Sequence, residues 1–252
     1  MAAHVFRFLG APGDGTGSHW VIDSEDARHA LKVLRLPSGE VVEVTDGRGR
    51  VVTGKLVPLG KEAAGVDVTG LRTEPAPTAP LHIAVGALKP GDVDDLLPAL
   101  VELGMDRISI VLSRHGDKNR IGDRPAERWQ RIVQNAIKQA KRAWLPDLVV
   151  HGSLEEFLMT VQAGTCWIFT APGAESGDPV PRDRPTAVCA SATSDQPVTG
   201  LVGSEKGFSD DEIQAAFRAG FKPVSIVTSV LRARTAAIAA ATILAMAVPR
   251  SG

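Results

Sequence analysis

The chain has 252 residues, 44% hydrophobic and 23% charged, with a formal net charge of −1. That balance excludes a disordered or fibrous chain and is typical of globular protein. The length suits two domains of ordinary size, each able to bury a core.

The first residues, Met-Ala-Ala-His-Val-Phe-Arg-Phe, lack the basic and apolar regions of a signal peptide, so a cytoplasmic location is expected. Residues 1 to 73 carry short β-type runs at 41–44, 51–57 and 65–69, with a hairpin turn at Asp46-Gly47. They are expected to form a small β-barrel or sheet. Between them, the run from His29 to Arg35 reads from spacing alone as a half-buried turn or strand with charged flanks. Residues 74 to 80 contain three prolines and read as an extended spacer, which places the domain boundary there.

From Leu81 the texture changes to alternating strands and helices. Strands are expected at 81–85, 108–112, 166–170, 187–190, 198–202 and 224–227. Helices are expected at 94–103, ending at Gly104, at 125–142 and at 234–247. Such alternation implies a mostly parallel α/β sheet. Cys166 and Cys189 lie in apolar runs and read as buried small hydrophobes, as expected in a reducing compartment, and no residues have metal-ligand spacing. The Ala-rich run 235–248 is apolar for 14 residues, short of the roughly 20 needed to span a bilayer, and no membrane association is expected.

Three segments point to chemistry. From Arg114 to Arg142 nine basic residues stand against three acids, which suits either a solvated helix face or an anion-binding one. Leu201 to Ile213 runs from an apolar strand through a loop with Gly203 and Gly207 into a strongly signalled helix. Ser209 and Glu212 form a capping box, Phe208 and Ile213 a hydrophobic staple, and Gly220 the stop. The loop is read as either a ligand loop or an ordinary βα turn, and it has neither standard phosphate-binding spacing. Near the C-terminus, Arg232 and Arg234 are fixed cations on a turn before the Ala-rich helix, where packing does not explain them.

Taken in order, His29…Val33-Leu34-Arg35, Lys89, Glu102-Leu103-Gly104, Arg128-Trp129…Gln139…Arg142, the Gly203–Ser209 loop and Leu231-Arg232-Ala233-Arg234-Thr235-Ala236 are similar to one family. Collinear over nearly the whole chain, they resemble the small-subunit ribosomal RNA uridine-N3 methyltransferases, the RsmE type of the SPOUT class. The resemblance implies a PUA-like β-barrel domain for RNA over 1–73, then a SPOUT α/β domain over 81–252 with a C-terminal trefoil knot. It also implies a homodimer acting on small-subunit ribosomal RNA within an assembled subunit, and a role in ribosome biogenesis.

The same resemblance implies that S-adenosylmethionine is the cofactor, leaving as S-adenosylhomocysteine, with no metal. By position, the cofactor residues are Phe169, Thr170, Leu201, Val202, Gly203, Glu205, Gly207, Ile226, Val227, Val230 and Leu231. Arg232 and Glu205 are the expected catalytic residues. Arg35, Lys89, Arg114, Arg128, Gln139 and Arg142 are the expected RNA contacts. The chain departs from the family pattern at Ser204 and Lys206, where proline and glycine are usual, and at Val227, Ser229, Ala233 and Arg234. Those departures motivate a rival expectation, a non-catalytic RNA-binding assembly factor on the same fold.

Overall fold

The computed structural model describes residues 5–112, 124–170, 183–193 and 195–248. The chain forms two compact units, Met1–Ala76 with Gln134–Leu145, and Pro77–Val133 with Pro146–Gly252.

In the first unit, β1 (Arg7–Pro12), β2 (His19–Ile22), β3 (Val41–Thr45), β4 (Arg50–Pro58) and β5 (Ala64–Thr73) close into a barrel in the order β1-β2-β5-β4-β3. A parallel β1–β3 pair completes the circle, so no strand edge is left open. Phe8, Trp20, Val42, Val44, Val52, Leu56 and Val66 fill the interior. The β3–β4 turn is the expected one: Gly47 has φ +68°, and Asp46 Oδ1 accepts the N–H groups of Arg48 and Arg50.

The run from His29 is helical, not a strand. Helix α1 (Ser24–Arg28) continues into a π-helical turn over His29–Val33. Ala27, Ala30, Leu31 and Leu34 all pack on the barrel core, a helical spacing that burial favours over the β-like composition.

Residues 134–145 join this unit although they follow some 60 residues of the other. Thr45 Oγ1 donates to the Ala143 carbonyl at 3.3 Å. Gly49 N–H donates to the same carbonyl at 3.0 Å, and Trp144 Nε1–H to the Glu74 carbonyl at 3.1 Å. Gly49, with φ +95°, is required here, because a Cβ would meet the Glu74 carbonyl oxygen at 2.5 Å.

The second unit is a six-stranded, all-parallel sheet in the order β11-β9-β10-β6-β7-β8. Its strands are β6 (Leu81–Gly86), β7 (Arg107–Val111), β8 (Asp147–His151), β9 (Thr165–Phe169), β10 (Val198–Val202) and β11 (Lys222–Val224). Its helices are α2 (Pro90–Glu102), α3 (Arg124–Gln139, whose last six residues belong to the first unit), α4 (Leu154–Met159), α5 (Pro185–Ser191), α6 (Asp210–Arg218) and α7 (Ala233–Ala247). On one face, Ala84, Ile168 and Leu201 pack beneath Phe157, Ile213 and Ala216.

Three expectations are corrected here. The 187–190 run lies in helix α5, with Pro185 in its first turn; a short apolar run carries no period of its own, and proline favours a helix start. Cys189 is half-buried, not buried, with its Sγ near the Ile243 carbonyl of α7 at 4.0 Å. The last strand is also earlier than expected, at Lys222–Val224, which leaves 225–232 as a turn. No helix among the described residues is long and apolar enough to cross a membrane.

Candidate active site

The C-terminal ends of β6, β9, β10 and β11 converge on one cavity of about 850 Å³. Ligands of parallel sheets bind at that edge, and the volume falls within the roughly 300–1,000 Å³ usual for small-molecule sites. The walls are Leu88, Lys89 and Asp92, Phe169 with Thr170, the loop 202–208, and most of 226–236.

Loop 203–208 is held at both ends. Ahead of it, β10 is fully buried. Behind it, Ser209 caps α6 with a complete capping box: its side chain accepts Glu212 N–H at 3.3 Å, and the Glu212 carboxylate accepts Ser209 N–H at 2.8 Å. Phe208 packs on the cluster that contains Ile213, as a staple requires. Within the loop, Gly207 N–H donates to the Ser204 carbonyl at 2.9 Å, closing a turn whose corner residues are Glu205 and Lys206. Gly207 sits at φ +73°, and a Cβ on Gly203 would meet Gly207 Cα at 3.0 Å.

Of the residues expected at the cofactor, Phe169, Thr170, Val202, Gly203, Glu205, Gly207, Ile226, Val227, Val230 and Leu231 all line this cavity, as does Arg232. Leu201 does not. It is fully buried, packed in the core beneath, because strand alternation sends its side chain to the opposite face from Val202. The expectations did not include Leu88, Asp92 or Phe208, which also line the cavity; Leu88 and Asp92 follow the end of β6, and the strand-end rule alone would have found them.

The site has the chemistry to hold a nucleoside-bearing cofactor. Thr170 Oγ1 is buried and has no hydrogen-bond partner among the described residues, a polar group left for a ligand to satisfy. Val227 and Val230 are 41% and 77% exposed, offering apolar surface beside it. Among the cations, Arg234 donates to Asp95 Oδ2 at 2.7 Å, whereas Arg232 and Lys89 make no ion pair or side-chain hydrogen bond with the described residues.

The expected RNA contacts are distributed differently. Lys89 lines the cavity. Arg128 pairs with Asp94 at 2.6 Å, on the same carboxylate that accepts Trp129 Nε1–H. Its neighbour Arg131 lies 3.8 Å from Glu127. Lys138 pairs with buried Asp26, and Lys141 with Glu43. The basic helix is therefore largely compensated from within. Gln139 is exposed and Arg142 half-buried, and the Arg142 carbonyl accepts from Arg7. Arg114 lies outside the described residues. On the barrel, Arg35 is exposed and holds φ +52°. A left-handed arginine directly after a π-helical turn is a strained arrangement of the kind found at functional sites.

A family model described as an RNA methyltransferase domain matches residues 74–245. The chain belongs to that family. A second model, the RNA methyltransferase PUA domain, matches residues 22–68, within the barrel. A Synechocystis protein named ribosomal RNA small subunit methyltransferase E is 27% identical over 236 residues, 92% of this chain and 74% of that protein. A Mycobacterium bovis protein of the same name is 27% identical, covering 89% of this chain and 85% of its own. Among solved structures, the Neisseria gonorrhoeae ribosomal RNA small subunit methyltransferase E bound to S-adenosyl methionine superposes with a TM-score of 0.78 at 26% identity, covering 94% of this chain and 95% of that one. A probable rRNA-methyltransferase from Porphyromonas gingivalis gives 0.78 at 29% identity, with the same coverage. The fold is thus a PUA-like barrel and the parallel α/β sheet of this methyltransferase family.

Proposed function

We propose that this protein methylates N3 of a uridine in small-subunit ribosomal RNA, using S-adenosylmethionine. The observation that carries the reading is the cavity itself. In a chain of the RNA methyltransferase family, it joins the buried, unpartnered Thr170 hydroxyl, a glycine-closed loop and an unpaired Arg232 at the carboxyl edge of the sheet.

When bound, the cofactor supplies an electrophilic methyl group. The residues of the chain do the rest. Gly203 and Gly207 let loop backbone come close to a ligand, and Thr170 gives its hydroxyl to it. Uridine N3 is protonated and a poor nucleophile while neutral. In this reading Glu205 takes the N3 proton, and the Arg232 guanidinium stabilises the charge that spreads over N3 and the flanking carbonyl oxygens. A fixed charge in a water-poor site is well suited to that task, and holding the reacting groups in line adds to it. Because N3 lies on the base-pairing edge, the target uridine must be unpaired or flipped out.

The reading extends to an RNA-recognition role for the barrel with Arg35, an assembled subunit as substrate, a cytoplasmic location, a C-terminal trefoil knot and a homodimer. Helix α7 supports the dimer: Thr235, Ala239, Thr242 and Met246 share one face, and Met246 is 69% exposed.

The test is transfer of labelled methyl from S-adenosylmethionine into small ribosomal subunits from cells lacking this protein. Naked ribosomal RNA is run alongside, and the product nucleoside is identified by mass spectrometry. The expected product is 3-methyluridine, formed on subunits. No transfer and no S-adenosylmethionine binding would instead favour the RNA-binding assembly factor, which the departures at Ser204, Lys206, Val227 and Ser229 otherwise leave as the rival.

A further inference from the structure

We propose that Lys206, together with Lys89, forms a phosphate-binding rim on the cavity that takes the backbone of the RNA strand next to the target base; the inference rests on the methyl-transfer reading above.

Four cations line the cavity, Lys89, Lys206, Arg232 and Arg234, against two carboxylates, Asp92 and Glu205. Arg234 is held by Asp95 and lies 3.9 Å from Asp92. The other three, all exposed, come from three separate segments and have no ion pair or side-chain hydrogen bond among the described residues. In the basic segment the pattern is the opposite, since Arg128, Arg131 and Lys138 of α3, and Lys141 just after it, each have an acid within 4 Å. The cavity therefore carries unpaired positive charge that most of the basic segment, whose composition first suggested it, does not.

Lys206 is also fixed in place. It occupies a corner of the turn closed by Gly207 N–H to the Ser204 carbonyl at 2.9 Å, and its own N–H reaches Ser204 Oγ at 3.4 Å. The side chain remains in water while its Cα is held, a preorganised arrangement for a point-charge contact to phosphate.

The occupant follows from charge. S-adenosylmethionine is a sulfonium and carries an ammonium against one carboxylate, so it brings net positive charge to a cavity already rich in unpaired cations. Repulsion between the two is relieved by an external polyanion, and a polynucleotide strand supplies it. The rim thereby links cofactor and RNA: each phosphate seated there lowers the electrostatic cost of the sulfonium below it.

The test compares wild type with Lys206→Gln and Lys206→Arg. Small ribosomal subunits are titrated over a range of salt, and S-adenosylmethionine binding is measured separately by calorimetry. Lys206→Gln is expected to leave cofactor affinity within about twofold, to weaken RNA binding severalfold, and to reduce the slope of log K against log salt by about 0.7–0.9, the loss of one phosphate contact. Lys206→Arg is expected to restore the slope. A fall in cofactor affinity with an unchanged salt slope would overturn the proposal and assign Lys206 to the cofactor carboxylate. No change in either quantity would also overturn it, leaving a solvated surface lysine. Neither measurement requires turnover, so failure of wild type to transfer methyl would sink the reaction while the salt slope judges the rim.

Discussion

Arg234 Nη1 donates to Asp95 Oδ2 at 2.7 Å, and this one contact separates the two arginines of the final turn. Arg234 is tied to helix α2; Arg232, also on the cavity, is not. Arg232→Gln is therefore expected to lower kcat for methyl transfer by roughly 10²–10³-fold, the usual cost of removing one group that stabilises developing charge. Arg234→Gln should leave kcat within a few-fold. Arg234 and Asp95 are 45% and 69% exposed, so the pair is worth only about 0.2–1 kcal/mol of stability. Single-turnover rates and denaturant unfolding of both variants check the assignment, and equal loss of rate would reverse it.

A buried pair of histidines predicts acid sensitivity. Ser109 Oγ lies 2.8 Å from His82 Nε2 and 3.0 Å from His151 Nε2, and Phe157 packs edge-on to both rings. One hydroxyl proton serves one nitrogen while the oxygen accepts N–H from the other, an arrangement that needs the ring accepting the hydroxyl proton to be neutral, and burial disfavours charge on both. Burial, with Arg107 and the other histidine adding to it, pushes His82 down to about 3. Burial also lowers His151, with Glu156 opposing and Arg107 assisting. A base whose folded value is depressed contributes stability that is complete above its unfolded value of about 6.5 and is lost as pH falls below it. At pH 5.5 the loss from His82 approaches about 1.4 kcal/mol relative to pH 7.5, and His151 adds to it in the same direction. Urea unfolding at the two values measures it, and the window stays above the range in which carboxylates titrate. A double variant, His82→Phe with His151→Phe, should show a flatter profile, whereas equal stability of wild type at both pH values would contradict the neutral pair.

Gly86 ends β6 directly against the cofactor loop. A Cβ there would meet Ser204 N at 2.4 Å and the Gly203 carbonyl carbon at 3.0 Å, both backbone atoms that cannot rotate away. Gly86→Ala is expected to displace the loop and weaken S-adenosylmethionine binding by tenfold or more while the barrel unit stays folded. Gly91→Ala, whose Cβ meets nothing within 4 Å, serves as the control and should bind normally. Calorimetry on the two variants decides it; unchanged affinity in Gly86→Ala would show that the loop position does not govern binding.

The parts of this molecule legible in the sequence were those set by local signals. Ser209, Glu212 and Gly220 announced α6 through backbone groups that only those residues satisfy, and the capping box is present as read. The cavity was largely legible as well, because strand ends and the residues after them line it. What was not legible depended on contacts distant in the chain. Residues 187–190 fold as helix α5, since a four-residue apolar run fits a strand or a helix equally and tertiary packing chooses. The pairing of the basic segment was hidden for the same reason: composition counts lysines and arginines, but the acids that pair with Lys138 and Lys141 lie about a hundred residues away, at Asp26 and Glu43.

Lys138 provides the means to distinguish a structural cation from an RNA-binding one. Its ammonium meets Asp26 Oδ1, while Oδ2 of the same carboxylate accepts Leu9 N–H at 2.7 Å. Both side chains are largely buried, at 15% and 8% exposure. Burial and the Asp26 charge already raise Asp23 above the ordinary carboxylate range, and Lys138 opposes that rise. Lys138→Met therefore leaves a buried carboxylate without its counter-ion and is expected to cost roughly 3 kcal/mol. Adding Asp26→Asn removes the stranded charge and should recover part of the loss, a non-additivity that a double-mutant cycle measures. RNA binding by folded Lys138→Met should keep the wild-type salt slope. A lowered slope with unchanged stability would mean that this lysine faces RNA rather than the barrel.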